Sequence, residues 1–232
     1  MSYRTVDAAR PVEWIKSAFA TFQQAPLPFV AMTAIMGAIW FVLIFIPLLG
    51  PVILAALGVY WVAGFQHAAR KLESGGTAEI TDLFAGLSGD RLVPLAYIAA
   101  LPAGVALVAG LLGTFGAILS IPVNIAVWIA IYFAVPRVYF ERVEPIAAMQ
   151  QGLQASLANI LPLIVVTVLN FTLIFGGMLA LLVGLLVTLP VMLLGTYHGY
   201  RDVYGAAGGY AAAPGPMPPP PPPGPPGPPP GY

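Results

Sequence analysis

The sequence predicts an all-α, polytopic membrane helix bundle, and three observations carry that prediction. Of the 232 residues, 59% are hydrophobic and only 8% are charged, whereas a soluble domain carries about 25% charge to cover its surface. Between Arg91 and Arg137 lie 45 consecutive residues without Asp, Glu, Lys or Arg. One crossing takes about 20 apolar residues, so this run is too long for one span and fits two joined by a tight turn. All nine Lys/Arg and all nine Asp/Glu fall in four segments: the N-terminal region, residues 70–91, residues 137–144, and Arg201-Asp202.

Each element can be justified in order. Pro11 suits a first helical position. Val12, Ile15, Phe19 and Phe22 recur at helical spacing, with Trp14 and Ala18 beside them and Glu13, Lys16, Ser17 and Gln24 opposite. Residues 11–24 thus read as an amphipathic helix in the plane of the membrane interface. Asp7 and Glu13 precede an apolar run, 27–49, that is too long for a signal-peptide core of about 7–15 residues, so it is expected to stay as the first span. The second span is expected at about 51–69, after a turn at 47–51. In polar residues 70–91, Ile80, Leu83, Phe84 and Leu87 mark two short amphipathic turns. Spans at about 92–112 and 117–138 enclose Gly110–Gly116 as their turn. Pro145 opens a second amphipathic helix. Ile146, Met149, Leu153, Leu157 and Ile160 form its apolar stripe, and Gln150, Gln151 and Gln154 its wet face. The last spans, about 159–175 and 178–200, break at Gly176-Gly177.

The chain therefore repeats amphipathic helix, span, turn, span. Pro51-Val52, Pro122-Val123 and Pro190-Val191 echo one another at steps of 71 and 68 residues. Six spans in three parallel hairpins follow, because an even number of spans per copy keeps the copies parallel. Positive charge marks the cytoplasmic side. Both termini and both polar loops are expected there, and the three uncharged turns outside. The expected organisation is a cytoplasmic segment 1–26, a six-span domain 27–204 and a tail 205–232. The tail holds 13 Pro in residues 214–232. Such a composition favours polyproline II and cannot form a packed core. It reads as disordered, and Pro218, Pro219, Pro220, Pro221, Pro222 and Pro223 could dock an aromatic groove on a cytoplasmic partner or act only as a spacer.

Composition and motifs exclude more than they select. Net charge is zero, so nothing attracts nucleic acid. There is no Cys, hence no disulfide and no thiolate metal site. Ser/His/Asp, zinc-ligand and phosphate-loop patterns are missing, so neither enzyme nor cofactor is expected. No Asp, Glu, Lys or Arg lies inside an expected span, which argues against ion-coupled transport and leaves a passive path open. Asn124 and Asn170 are the most polar side chains at depth. Interhelical hydrogen bonding is their plainer role, a polar pathway the sharper one. Pro102 is expected to kink its span. Ala99/Ala103 and Ala100/Gly104 beside it are small-xxx-small pairs, which place that helix at the bundle centre. His67 and His198 read as interfacial anchors rather than ligands. Phe65, Tyr139, Phe140, Tyr197, Tyr200 and Tyr204 read as an aromatic belt, and Trp40, Tyr60, Trp61 and Trp128 as packing.

Phe133-Ala134-Val135-Pro136, then Pro145, Ala148, Ala155-Ser156, Asn159 and Pro162, with Tyr200-Arg201-Asp202-Val203-Tyr204, resemble an uncharacterised family of bacterial six-span inner-membrane proteins. That family is similar in pattern to the membrane domain before some glycerophosphodiester phosphodiesterases. The resemblance covers about residues 5–205 and implies a bacterial inner membrane and this topology. The phosphodiesterase catalytic domain has no counterpart here, so no catalytic residue carries over. The expected function is a non-enzymatic scaffold or accessory protein. Its partners would be the bilayer and a cytoplasmic protein reached through the helices and tail. The alternative is a passive transporter or channel for a small or lipidic solute, lined by Asn124, Asn170 and the Pro102 kink.

Overall fold

The computed structural model describes residues 3–180 and 182–205. Pro218–Pro223 and the rest of 206–232 lie outside the described residues. The described chain is helical throughout: α1 (Arg10–Gln24), α2 (Pro26–Leu43), α3 (Leu49–Glu73), α4 (Leu92–Leu111), α5 (Gly113–Ile131), α6 (Ala134–Glu141), α7 (Pro145–Ala158), α8 (Ile160–Leu179) and α9 (Leu185–Tyr204). Two 3-10 segments, Ile80–Leu87 and Gly89–Arg91, lead into α4.

Five helical stretches are long and apolar enough to cross a membrane: Pro26–Leu43, Leu49–Glu73, Gly89–Leu111, Gly113–Glu141 and Ile160–Leu179. α9 equals α8 in length, 20 residues each, but is not among them. The reason lies in its position. α9 packs against α1, α2, α3 and α8, so Leu194, Tyr197, His198, Tyr200 and Asp202 face protein. A helix wrapped by protein need not present an apolar surface to lipid.

The first and last turns fall a few residues from where they were expected, and the second falls within the expected Gly110–Gly116. Residues 44–48 make the first, and Pro51 lies inside the first turn of α3, where a missing N–H costs nothing. The second is at Leu112 and Gly113, with Gly113 at φ +59°. Gly176-Gly177 does not break the last pair, because both residues belong to α8, which runs to Leu179, and α9 starts only at Leu185. Gly50, Gly116 and Gly177 share another task. A Cβ on Gly50 would collide with Leu43 O, and one on Gly116 with Ala109 O, while one on Gly177 would sit 2.6 Å from Thr188 Oγ1. These glycines let neighbouring helices approach closely beside each turn.

Both amphipathic helices leave large residues of their apolar stripe outside the protein, as helices lying in a membrane interface would. α1 buries Pro11, Trp14, Ala18, Thr21 and Phe22 against α9, while Val12 and Phe19 are exposed. α7 buries Ala148, Gly152, Ala155 and Ser156, and leaves Ile146, Leu153 and Leu157 outside. A Cβ on Gly152 would stand 3.1 Å from Ala130 O and 3.2 Å from Ala134 N, so α7 approaches α5 and α6 through its small side. The large stripe is free to meet lipid. In the wet face, Gln150 and Gln154 are exposed, but Gln151 accepts a hydrogen bond from Arg137.

α4 runs unbroken through Pro102. Its Ala99 is buried, whereas Ala100 is exposed and nothing stands within 4 Å of a Cβ on Gly104, so that pair makes no close helix contact. Trp40 is exposed rather than packed.

Candidate functional site

Two regions stand out, one at the charged ends of the helices and one in the apolar middle. The first is a network of buried charges. Asp202, in the last turn of α9, is nearly inaccessible and takes three donors: Arg4, Arg10 Nε at 2.7 Å and the indole N–H of Trp14 at 2.8 Å. Burial alone would push its carboxyl up. The hydrogen bonds from Arg10, Trp14 and Arg4 outweigh it and hold the carboxyl below its ordinary value. Arg4 N–H also donates to Val203 O at 2.8 Å. Asn159, buried at the start of α8, receives the Val6 N–H at 2.8 Å and donates Nδ2–H to Arg4 O at 3.1 Å. Its side-chain amide thus pairs with the backbone of the N-terminal segment and fixes it beside the end of α9.

A second centre is Arg137 of α6, whose side chain is 1% exposed. Its Nε donates to Glu141 at 3.2 Å, its Nη1 to Gln151, and its guanidinium lies 4.7 Å from the Tyr204 ring centroid. Glu141 also accepts from Tyr200 OH at 2.7 Å. Glu73, at the end of α3, accepts from Tyr197 OH at 2.7 Å and from Arg201. Arg70 stacks over Phe140 at 4.9 Å. Buried charges are tolerable only when paired and hydrogen-bonded, and these are.

The network corrects two expectations. Phe65, Tyr139, Tyr197 and Tyr200 are buried and stack within the protein rather than forming an outward belt. For two of them the hydroxyl explains why: Tyr197 OH donates to Glu73 and Tyr200 OH to Glu141, so each ring faces its carboxylate. His198 is buried and meets Thr21 Oγ1 at 3.0 Å, while His67 Nδ1 meets Tyr139 OH at 2.9 Å. Both histidines tie helices together. Among the described residues no three His, Cys, Asp or Glu side chains gather to hold a metal.

The second region is a cavity of about 330 Å³ in the membrane-depth core. α2, α3, α4, α5, α6 and α9 all contribute to its wall. Ala55, Gly58, Val59 and Val62 supply one stripe of α3, with Pro102, Trp128 and Leu193 facing them. The wall is mostly apolar and carries no charge; its polar side-chain atoms belong to Trp61, Trp128, Tyr132 and Thr196, and Thr196 Oγ1 accepts from Gln66 Nε2 at 2.9 Å. Of these, Trp61 Nε1 and Tyr132 OH are buried with no hydrogen-bond partner among the described residues. No nucleophile–base pair lines this space.

The sequence-derived candidates are not brought together. Pro102 lines the cavity. Asn124 does not: it is exposed on α5, and its Nδ2 donates to Ser120 O of the same helix at 2.9 Å. Asn170 shares a helical stripe with Leu163, Val166 and Gly177, the buried side of α8, and its Oδ1 has no partner among the described residues. Sequence reasoning gave no role to Asp202, Arg137, Asn159 or Glu73. The available signal was their place at span ends, and for Asp202 and Asn159 their place within the motifs that carry the family resemblance. No family model matches the chain, and neither curated proteins nor solved structures give a match.

Proposed function

We propose that this chain is a non-enzymatic scaffold or accessory protein of a bacterial inner membrane, crossing it six times as three parallel hairpins. α9 is the sixth span, and both termini face the cytoplasm. One observation supports this reading above others: the charged side chains gather at the ends of the helices, and the buried ones, Asp202, Arg137 and Asp82, are each held by partners there. The charged end is therefore a rigid platform. Lys16, Glu13, Asp90 and Arg142 remain exposed on it, and the proline-rich tail follows directly from α9. A fixed platform with a Pro-rich extension suits a partner that reads polyproline on an aromatic groove.

The test compares the full chain with a 206–232 deletion in cross-linking from intact membranes. The reading expects a protein partner recovered only with the full chain, while both forms melt at the same temperature. Recovery of no partner that depends on the tail or on the exposed charges would overturn it. The alternative, a passive path for a small or lipidic solute along Asn124, Asn170 and Pro102, has less support. Asn170 belongs to the buried side of α8, and of the three only Pro102 lines the cavity.

A further inference from the structure

We propose that the central cavity is a binding site for one neutral, membrane-dissolved molecule, a hydrocarbon body bearing a carbonyl or hydroxyl group that Asn124 recognises. Size and lining set the first part. A volume of about 330 Å³ falls within the range of small-molecule pockets, about 300–1,000 Å³. Its wall carries no charge, so a charged ligand would stay unpaired in hydrocarbon. Gly58 supports the cavity's role as space for a guest, because a Cβ there would have nothing within 4 Å.

Access comes from the bilayer. α5 packs chiefly on α4 and α7 and makes only slight contact with the other helices around the cavity. The wall is therefore incomplete beside α5, on the side where a molecule dissolved in lipid can enter without crossing water.

Asn124 sets the second part. Trp128 and Ile131, four and seven residues further along α5, both line the cavity. Asn124 thus lies on the same face of the helix, about 6 Å beyond Trp128. It is exposed, and the bond to Ser120 O is its one hydrogen bond to the described residues. Its Oδ1 and second N–H are left for another group, in a place where lipid tails offer none. Asn124 is also about 16 Å along α5 from the turn at Gly113, near the middle of a bilayer core of about 30 Å. The esters and headgroup of a phospholipid stay at the interface. A neutral molecule lying at the midplane is the class that can place a polar group at this depth.

Benzophenone is a suitable probe, being neutral and apolar with one carbonyl. On irradiation it takes a hydrogen from a nearby C–H group and bonds to that carbon. The full chain in phosphatidylcholine vesicles should give saturable adducts on the α3, α4 and α5 peptides that hold Gly58, Pro102 and Trp128. Gly58→Leu, and independently Ala55→Leu, should abolish those adducts by filling the space, with the melting temperature kept by at least one of the two. Asn124→Leu should weaken labelling about five-fold, the equivalent of about 1 kcal/mol for one hydrogen bond. Unsaturable adducts spread over exposed residues such as Phe171 and Phe175 would overturn the assignment. So would cavity adducts that survive Gly58→Leu and Ala55→Leu, or that ignore Asn124→Leu.

Discussion

The charged end of the bundle and its membrane-depth core solve opposite problems. At the charged end, Asp202 and Arg137 are buried, Glu141 is partly buried, and each is held by several partners. In the core there is no charge to satisfy. There, space is left open around Gly58 and Pro102, and Trp61 Nε1, Tyr132 OH, Asn170 Oδ1 and Thr188 Oγ1 are buried without partners among the described residues. The difference teaches where specificity lies. Helices in lipid gain little from burying one more apolar group, since lipid tails are equally apolar. The fold is fixed by the polar end, and the middle is free to keep a cavity.

Breaking the polar end should therefore cost the most. Arg137→Leu leaves Glu141 buried without its cation and should destabilise the protein by about 3–5 kcal/mol, read as a lowered midpoint of thermal unfolding in micelles. A Glu141→Gln change added to it should recover part of the loss, because the orphaned charge is then gone. Gly152→Val attacks the seam between α7 and the α5–α6 region, where a Cβ already stands 3.1 Å from Ala130 O. Forcing it apart should cost about 1–3 kcal/mol and raise proteolytic nicking near residues 142–145.

Acid should act on the N-terminal clasp. The Asp202 carboxyl titrates below its ordinary 3.8 in the folded protein. Its contribution to stability is therefore complete above that value and fades as pH falls through the lower folded one. Hydrogen exchange at the Arg4 amide, which donates to Val203 O, should accelerate only below about pH 3.8. In Asp202→Asn that acid step should be missing. The smallest effect is expected in the cavity: Gly58→Leu should change stability by no more than about 1 kcal/mol, and in the favourable direction, since Gly is a poor helix former. A large loss at Gly58 would erase the contrast between the two regions.

Much of the fold was legible from the sequence, and the unread parts share one cause. Composition fixes the helical membrane class, and the charge-free run 92–136 does hold two helices, α4 and α5. Hydropathy was silent on which faces meet protein. It marked Ile146, Leu153 and Leu157 as the apolar stripe of α7, and the protein packs instead on Ala148, Gly152 and Ala155. In water large apolar groups turn inward. Beside lipid they can turn outward, and small residues make the helix contacts. Gly176-Gly177 misled for a related reason. Glycine breaks helices in water, but in lipid the backbone must satisfy itself, so α8 runs on. The clasp escaped because its partners, Arg4 and Asp202, are 198 residues apart, and no periodicity links them. Pro102 was found because a proline within a span is conspicuous alone. The cavity it lines needed six helices to appear.

The account stands on the charged end being a single cytoplasmic surface, with the turns before α3, α5 and α9 on the far side. The chain has no native Cys, so single Cys substitutions read this directly. Thr114 is the better outer position, since Gly113 sits at φ +59° and a side chain there would be strained. In intact cells, Thr114→Cys should react with a membrane-impermeant maleimide and Ser88→Cys should not until the membrane is opened. The reverse pattern, or both reacting alike, would contradict the account.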